Sequence, residues 1–440
     1  MVSHAETMRK SFIEHVDEDR IMDCMRCGFC LLSCPTYIHS DFDETQSPRG
    51  RIALMKAVRD GVVEWDGSIE EAFDLCLGCR ACEPVCPAGV QYGTLIEETR
   101  EAIVSVKKQS LKEKTIRKGA FDHLFADHQK MKKAVGLVHF YQRSGLQKVV
   151  RKIGFLELFP PFIKEMEKAL PKPPSKEINT VQNVPVKTKV AFFTGCLMDT
   201  IFKETNRHTI ELLNSLGCEV IIPENQQCCG ALQGHSGEME RATRNAKVNI
   251  EAFDLEAIDY IVNNAGGCGA FLSEYDRLFA DDPAYSIKAR QFVDKQIDIS
   301  SLLLKLGMAE KLKLMPNLPQ NEIVTYQDSC HLRNVNGVKE EPRNLLKSVK
   351  GSVFVELPGA HQCCGSAGIY NLLQPEMASR ILRTKMEEVK RIRASTIVTT
   401  NPGCLLQMQV GVEKEGFTNI RAVHLVDYIH EKIWREDGGD

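Results

Sequence analysis

The sequence predicts an α+β multidomain protein, with a helical N-terminal module followed by a duplicated α/β unit. Three observations carry this prediction. Eight cysteines in the first 86 residues fall in two matching runs, Cys24, Cys27, Cys30, Cys34-Pro35 and Cys76, Cys79, Cys82, Cys86-Pro87. The second half repeats a Cys…Cys-Cys-Gly…Cys pattern at nearly constant spacing. There, short β-branched and aromatic runs alternate with helical stretches, as in α/β units with parallel strands.

Each N-terminal run reads C-x2-C-x2-C-x3-C-P, the ligand run of bacterial two-cluster ferredoxins. A cubane cluster has four irons, and each needs one thiolate. Three cysteines spaced by three on a curved loop reach three irons. In two-cluster modules the last cysteine of each run crosses to the other cluster. The assignment is Cys24, Cys27, Cys30 and Cys86 on one [4Fe–4S] cluster, and Cys76, Cys79, Cys82 and Cys34 on the other. Pro35 and Pro87 end any helix at the crossing cysteine. Gly28 and Gly78 remove a Cβ where backbone wraps a cluster. Structural zinc also uses C-x2-C but has no need of a third step and a trailing C-P.

Between the runs, Ser47-Pro48 reads as an N-cap and first helical residue. Ile52, Met55 and Val58 repeat at helical spacing, and Gly61 closes the segment. A second helix is expected over Ile69 to Leu75. Residues 1–100 therefore form a helical two-[4Fe–4S] ferredoxin module. Arg49 and Arg51 read either as contacts for an anionic surface or partner, or as a solvated helix face.

Residues 101–188 carry lysine, glutamate and leucine at helical periods. The stretch Phe140 to Phe162 mixes aromatics with Arg143, Lys148, Arg151 and Lys152. It is expected to pack on its own protein, with a membrane surface or a partner as the alternative. Pro171, Pro173 and Pro174, with polar residues on to Lys189, read as a linker.

The duplication occupies residues 189–310 and 320–432. Copy one supplies Cys196, Cys228-Cys229-Gly230 and Cys268; copy two supplies Cys330, Cys363-Cys364-Gly365 and Cys404. The first interval is 32 positions in copy one and 33 in copy two, and the second is 40 and 41. Two intervals that agree to within one residue indicate a repeat. Strands are expected at Val190–Phe193, Val220–Ile222 and Tyr260–Val262, then at Ile323–Tyr326, Val353–Val355 and Thr396–Val398. Helical stretches such as Arg207 to Leu216 and Met377 to Arg393 lie between them. Ligands on loops after parallel strands converge at one end of a sheet.

Four thiols per copy suit the metal atoms of a further iron–sulfur cluster, because adjacent cysteines chelate one small ion awkwardly. Zinc in a site of four cysteines is the alternative. Cys218 has no counterpart in copy two and reads as a buried structural thiol. Asp328 and His331 flank Cys330 and are candidates for tuning a cluster or carrying a proton. His235 reads as supporting scaffold.

Composition narrows the function further. The chain has 440 residues, is 43% hydrophobic and 26% charged, and carries a net charge of −3. That balance offers no general attraction to nucleic acid or to an acidic membrane surface. No run of 18 apolar residues suggests a membrane span. The charged start at Met1 to Asp23 does not resemble a secretory signal, so the 17 cysteines are expected in a reducing cytoplasm. There is no strand–G-x-G-x-x-G–helix motif and no P-loop. The chain thus offers one-electron carriers and no hydride-handling site, which points to a flavin on a partner polypeptide.

The doubled pattern resembles the cysteine-rich CCG domains of heterodisulfide reductase subunits. Behind a two-cluster module, the layout resembles the iron–sulfur subunits of anaerobic glycerol-3-phosphate dehydrogenase and, more closely, of glycolate oxidase. The resemblance rests on Cys24 to Cys30, Ser47-Pro48-Arg49-Gly50-Arg51, Cys76 to Arg80, Asn264 to Phe271, Asp328 to Arg333, Cys363 to Tyr370 and Asn401 to Leu405. It implies a flavoprotein partner bearing FAD that oxidises glycolate or a similar 2-hydroxy acid, such as lactate. It also implies an electron acceptor, for which a quinone is the candidate, and a cytoplasmic location that includes the inner membrane face. The fullest CCG domains bind a five-cysteine cluster; here Ala265 and Asn401 stand where the additional cysteine falls.

Overall fold

The computed structural model describes residues 3–107, 128–155, 185–315 and 322–434, with single positions 115, 119 and 167. The Pro171 to Pro174 segment and the part of Phe140 to Phe162 beyond residue 155 lie outside the described residues.

Four helices frame the N-terminal module: His4–His15, Pro48–Asp60, Gly67–Asp74 and Tyr92–Val106. The second starts as its sequence dictates. The Ser47 side chain accepts from Gly50 N at 2.9 Å, Pro48 occupies the first turn, and Gly61 ends it in the left-handed region. Met8, Phe12, Met55, Phe73 and Leu95 form the core where these helices meet. Their burial beneath two ligand loops gives the loops a rigid floor.

Among the described residues, the second half holds eight strands: β1 (Thr188–Phe193), β2 (Cys218–Ile221), β3 (Tyr260–Asn263), β4 (Gln296–Asp298), β5 (Glu322–Tyr326), β6 (Ser352–Phe354), β7 (Thr396–Thr399) and β8 (Arg421–His424). They form two sheets, ordered β2-β1-β3-β4 and β6-β5-β7-β8, with every pairing parallel. The six strands expected from sequence are all present. The fourth strand of each sheet escaped the pattern because Gln296–Asp298 and Arg421–His424 each carry two polar residues.

The two copies are not independent bodies. One apolar cluster joins Val190, Phe192 and Leu303 of copy one to Tyr326, Leu345 and Tyr428 of copy two. At their junction Gly266 N donates to Thr400 O at 2.9 Å. A Cβ at Gly266 would lie 2.5 Å from Ser329 Oγ and 2.7 Å from Leu332 Cβ, so only glycine permits this approach. Cys218 lies wholly buried in the shared core, and burial pushes its thiol up to about 11, as a structural cysteine requires.

The helices His128–Arg143 and Leu146–Lys152 cover the described part of the stretch expected to pack on its own protein. Met131 and Val135 do anchor the first helix on copy one. Beyond them, however, Phe140, Leu146, Val149, Ile153 and Phe155 all point outward and are exposed. Tyr141 and Val150 of the same stretch are half-buried, and Tyr141 OH donates to Glu167 Oε1 at 3.2 Å.

Candidate iron–sulfur sites

One site lies in the N-terminal module. Cys34, Cys76, Cys79 and Cys82 line one pocket there, together with Arg51 and Tyr92. The second run thus shares its cavity with the crossing cysteine of the first. Gly28 and Gly78 have φ of 88° and 60°, the left-handed turns that fold the loops over the thiols. Gly78 N points at Cys76 Sγ from 3.4 Å.

Arg51 is fully buried here, contrary to both sequence readings of it. It donates to Ala72 O at 2.6 Å, Gln46 O at 2.7 Å, Gln46 Oε1 at 2.8 Å and Thr36 Oγ1 at 3.1 Å. Its Nη1 also reaches Cys34 Sγ at 4.0 Å. A sequence signal existed, since residues 51, 55 and 58 share one helix face and the other two are Met55 and Val58. Arg49 takes a different role, pairing with Glu44 at 2.6 Å and bonding Arg26 O at 3.2 Å.

The electrostatics favour bound thiolate. Burial alone would raise the Cys76 thiol, yet the guanidiniums of Arg51 and Arg100 bring it below its ordinary value. Cys79 and Cys82 lack that close cation, and burial, then neighbouring thiols, push them well up. A metal centre would replace those protons with cationic iron. Four thiols around one cavity, beside a buried cation, fit a [4Fe–4S] cluster.

The other four cysteines lie nearer the surface. Cys24, Cys30 and Cys86 are half-buried against the helical core, and Cys27 is exposed. Burial, then the nearby Cys24 and Cys34 thiols, push Cys30 up to about 11.

In the α/β half, every ligand segment follows the C-terminal end of a strand. In copy one Cys196 contacts Cys228, Cys228 contacts Cys229, and Cys229 contacts Cys268. Copy two repeats the chain as Cys330, Cys363, Cys364 and Cys404. These mutual hydrogen bonds, then burial, hold Cys196, Cys229 and Cys330 well above their ordinary values. In each copy the four thiols thus form one continuous set of contacts.

Two polar residues distinguish copy two. Asn401 stands where the additional cysteine of fuller CCG domains falls; its Nδ2 lies 3.7 Å from Cys404 Sγ and its Oδ1 accepts from Gly267 N at 2.9 Å. It thereby ties the two copies together at their thiols. Lys385 is buried, donates to Gly359 O, and faces Cys363, Cys364 and Cys404. Copy one has the neutral Asn249 at the matching helix position, bonded to Cys228 O at 3.1 Å.

The N-terminal module sits directly on copy two. His331 Nε2 lies 2.9 Å from Gly78 O, Asn334 Nδ2 donates to Cys79 O at 3.0 Å, and Tyr370 OH donates to Leu75 O at 3.0 Å. Leu77, Cys79, Cys330 and Cys363 belong to one apolar cluster. Asp328 and His331, both candidates from sequence for tuning a cluster, take separate partners. Asp328 is held by Arg343, at 2.8 and 3.0 Å, and by Arg333 at 3.1 Å. Burial, then the nearby His235, lowers His331 to about 3, so it is neutral and serves the module contact. His235 is indeed scaffold: its Nδ1 lies 2.8 Å from Glu97, which also binds Arg277 at 2.8 Å.

Two cysteine sets on helical loops, coupled to a duplicated thiol-bearing α/β unit, define an iron–sulfur electron carrier. Comparison with known proteins agrees. The model of the 4Fe-4S dicluster domain matches residues 20–90, and that of the cysteine-rich domain matches 190–273 and 324–409. A third, the linker region of the glycolate oxidase iron–sulfur subunit, matches residues 112–170. The probable glycolate oxidase iron–sulfur subunit of Bacillus subtilis (strain 168) is 53% identical over 431 residues, covering 96% of each chain. The glycolate oxidase iron–sulfur subunit of Escherichia coli (strain K12) is 30% identical over 436 residues, covering 98% of each. Lactate utilization protein A of Oceanobacillus iheyensis is 33% identical over 243 residues, covering 55% of this chain and 96% of the relative. The chain belongs to the glycolate oxidase iron–sulfur subunit family. Among the described residues, no helix is long and apolar enough to cross a membrane.

Proposed function

We propose that this chain is the electron-carrying subunit of a complex in which a partner flavoprotein, bearing FAD, oxidises glycolate to glyoxylate. Clusters bound here supply one-electron carriage. Cys24, Cys27, Cys30 and Cys86 hold one [4Fe–4S] cluster; Cys34, Cys76, Cys79 and Cys82 hold the other. The observation that carries the reading is the single cavity lined by Cys34 and the three cysteines of the other run. Arg51 and Arg100 supply positive charge there, and His331, Asn334 and Tyr370 hold the module against copy two. The thiols of Cys196, Cys228, Cys229 and Cys268, and of Cys330, Cys363, Cys364 and Cys404, form two further metal sites. The adjacent pairs Cys228-Cys229 and Cys363-Cys364 chelate one small ion awkwardly, which supports a centre of several metal atoms over a single zinc. The units fall at 1–100, 101–188, 189–310 and 320–432.

The acceptor is of the quinone class, reached at the inner face of the cytoplasmic membrane. Exposed Leu146, Val149 and Ile153, interleaved with Lys148 and Lys152, support that location.

The test is Cys27→Ser in the intact complex. Flavin reduction by glycolate is expected to persist while electron delivery to the acceptor stops; full turnover would sink the reading. Lactate assayed beside glycolate decides the substrate. Iron, sulfide and zinc counts decide the second half, since two cubanes account for about eight irons and any excess belongs to the CCG copies.

A further inference from the structure

The two N-terminal cysteine sets differ in what surrounds them. The Cys34, Cys76, Cys79 and Cys82 set is roofed by copy two of the same chain, through His331 on Gly78 and Asn334 on Cys79. Among the described residues, the Cys24, Cys27, Cys30 and Cys86 set has no such roof. Cys27 is the only exposed cysteine among them. On the same loop stand Met25, Phe29 and Leu32, exposed at 65, 68 and 73%, and Met22, 60% exposed, ends the short helix that leads into it. Phe42 follows, 59% exposed, its ring 5.5 Å from that of Tyr37. Exposed apolar residues scattered singly mean little, but several around one ligand loop mark a contact surface.

We infer that this loop is where the flavin-bearing partner docks, so that electrons enter the chain at the Cys24, Cys27, Cys30 and Cys86 centre. The inference rests on the function proposed above. Three features choose this occupant. A one-electron carrier at an exposed ligand loop is useful only to a second redox centre brought close to it. The charges around the apolar residues are largely acidic, with Asp23, Asp41 and Asp43 exposed beside Arg26. An anionic lipid surface is repelled by such a rim, whereas a protein face with an apolar centre and basic edge complements it. Finally, the inner cysteine set leads on to Cys330 and Cys363, so the outer set is the open end of the line.

The electrons balance as follows. Oxidation of one 2-hydroxy acid to its 2-oxo acid releases two electrons and two protons to the partner's flavin. The electrons cross the loop one at a time, while the protons leave the flavin to solvent. They pass from the outer to the inner cysteine set and then toward copy two. A quinone-class acceptor finally takes two electrons and two protons.

The experiment uses the complex purified through a tag on this chain, with glycolate as reductant. Phe29→Asp combined with Leu32→Asp is expected to cut co-purifying flavin and the rate of cluster reduction by glycolate at least tenfold. Iron content and the dithionite-reduced EPR spectrum are expected to stay as in the parent. Unchanged flavin content and reduction rate would overturn the inference. Should the double variant lose its clusters, a photo-reactive residue at position 29 of the otherwise intact chain decides. Cross-linking to the flavin-bearing polypeptide supports the inference. Cross-linking only to a second copy of this chain, to lipid or to nothing, with flavoprotein present, overturns it. A parent preparation containing no flavoprotein overturns the proposed function as well.

Discussion

The guanidinium of Arg51 and the sulfur of Cys34 lie 4.0 Å apart in the interior of the N-terminal module, with Arg51 wholly shielded from water. Reduction adds negative charge to an iron–sulfur centre, so a fixed cation beside it favours the reduced form. At an effective dielectric of about 20, a unit charge several ångströms away is worth on the order of 2–3 kcal/mol. For a one-electron couple that is on the order of 100 mV. Arg51→Gln is expected to lower one N-terminal midpoint potential by about this much and leave the other in place. Arg51→Lys keeps the charge and is expected to stay near the parent value. EPR-monitored redox titration checks both, and equal shifts in the two variants would refute a charge effect.

Lys385 makes the two CCG copies electrostatically unequal, because copy one has Asn249 in its place. Burial lowers Lys385 to about 8, so the side chain is still mostly protonated at neutral pH. Lys385→Met is expected to lower the potential of the copy-two centre and leave the N-terminal pair unchanged. The same titration reads it; a shift confined to the N-terminal signals would contradict the placement.

Glu97 links the N-terminal module to copy one. Burial would raise its carboxyl, but the hydrogen bond to His235 and the Arg277 charge bring it down to about 2. A depressed carboxyl stabilises the fold above its unfolded value, near 4.5, and loses that contribution as pH falls toward 2. The size is a few kcal/mol, from roughly two pH units at about 1.4 kcal/mol each. Glu97→Gln is expected to weaken module docking at pH 7 and to flatten its decline below about pH 5. Protease cleavage between the modules, followed against pH, measures this; a variant whose cleavage tracks the parent at every pH would refute it.

The outward apolar side chains of the Leu146–Lys152 helix and Ile153 predict attachment to anionic lipid. Phosphatidylglycerol vesicles are expected to bind the chain at low ionic strength and release it as salt rises. Val149→Glu with Ile153→Glu is expected to abolish flotation with the vesicles. Flotation that survives both the double variant and high salt would place attachment elsewhere.

Much of the architecture was legible in the chain. Six strands, the capped helix at Ser47-Pro48 and the repeat could be read because each rests on local pattern: apolar or β-branched runs, an N-cap, constant spacing. The strands Gln296–Asp298 and Arg421–His424 were not legible, because half or more of their residues are polar. At the cysteine sites the residue types were plain, but their surroundings were not. Arg51 looked like a surface arginine although it shares a face with Met55 and Val58. Lys385 sits similarly in the buried stripe of Ala378, Ile381 and Val389. A charged residue in an apolar stripe is a readable signal, yet the groups that satisfy it come from elsewhere in the chain. Gln46 and Ala72 complete the site of Arg51, and Gly359 that of Lys385.

The sequence by itself determined the inventory: sixteen cysteines in four sets, two helical ligand loops and a duplicated parallel-sheet unit. Spacing along the chain is enough for this, since ligand loops and strands are local objects. Only the tertiary structure decided how the sets relate. It set Asp328 on Arg343, and it closed copy two over the Cys76 to Cys82 loop. It also left Cys27 exposed near exposed apolar side chains. The closure joins residues more than two hundred positions apart, such as His331 with Gly78. They are fixed by burial and by hydrogen bonds that form once the modules pack together, and no local pattern encodes them.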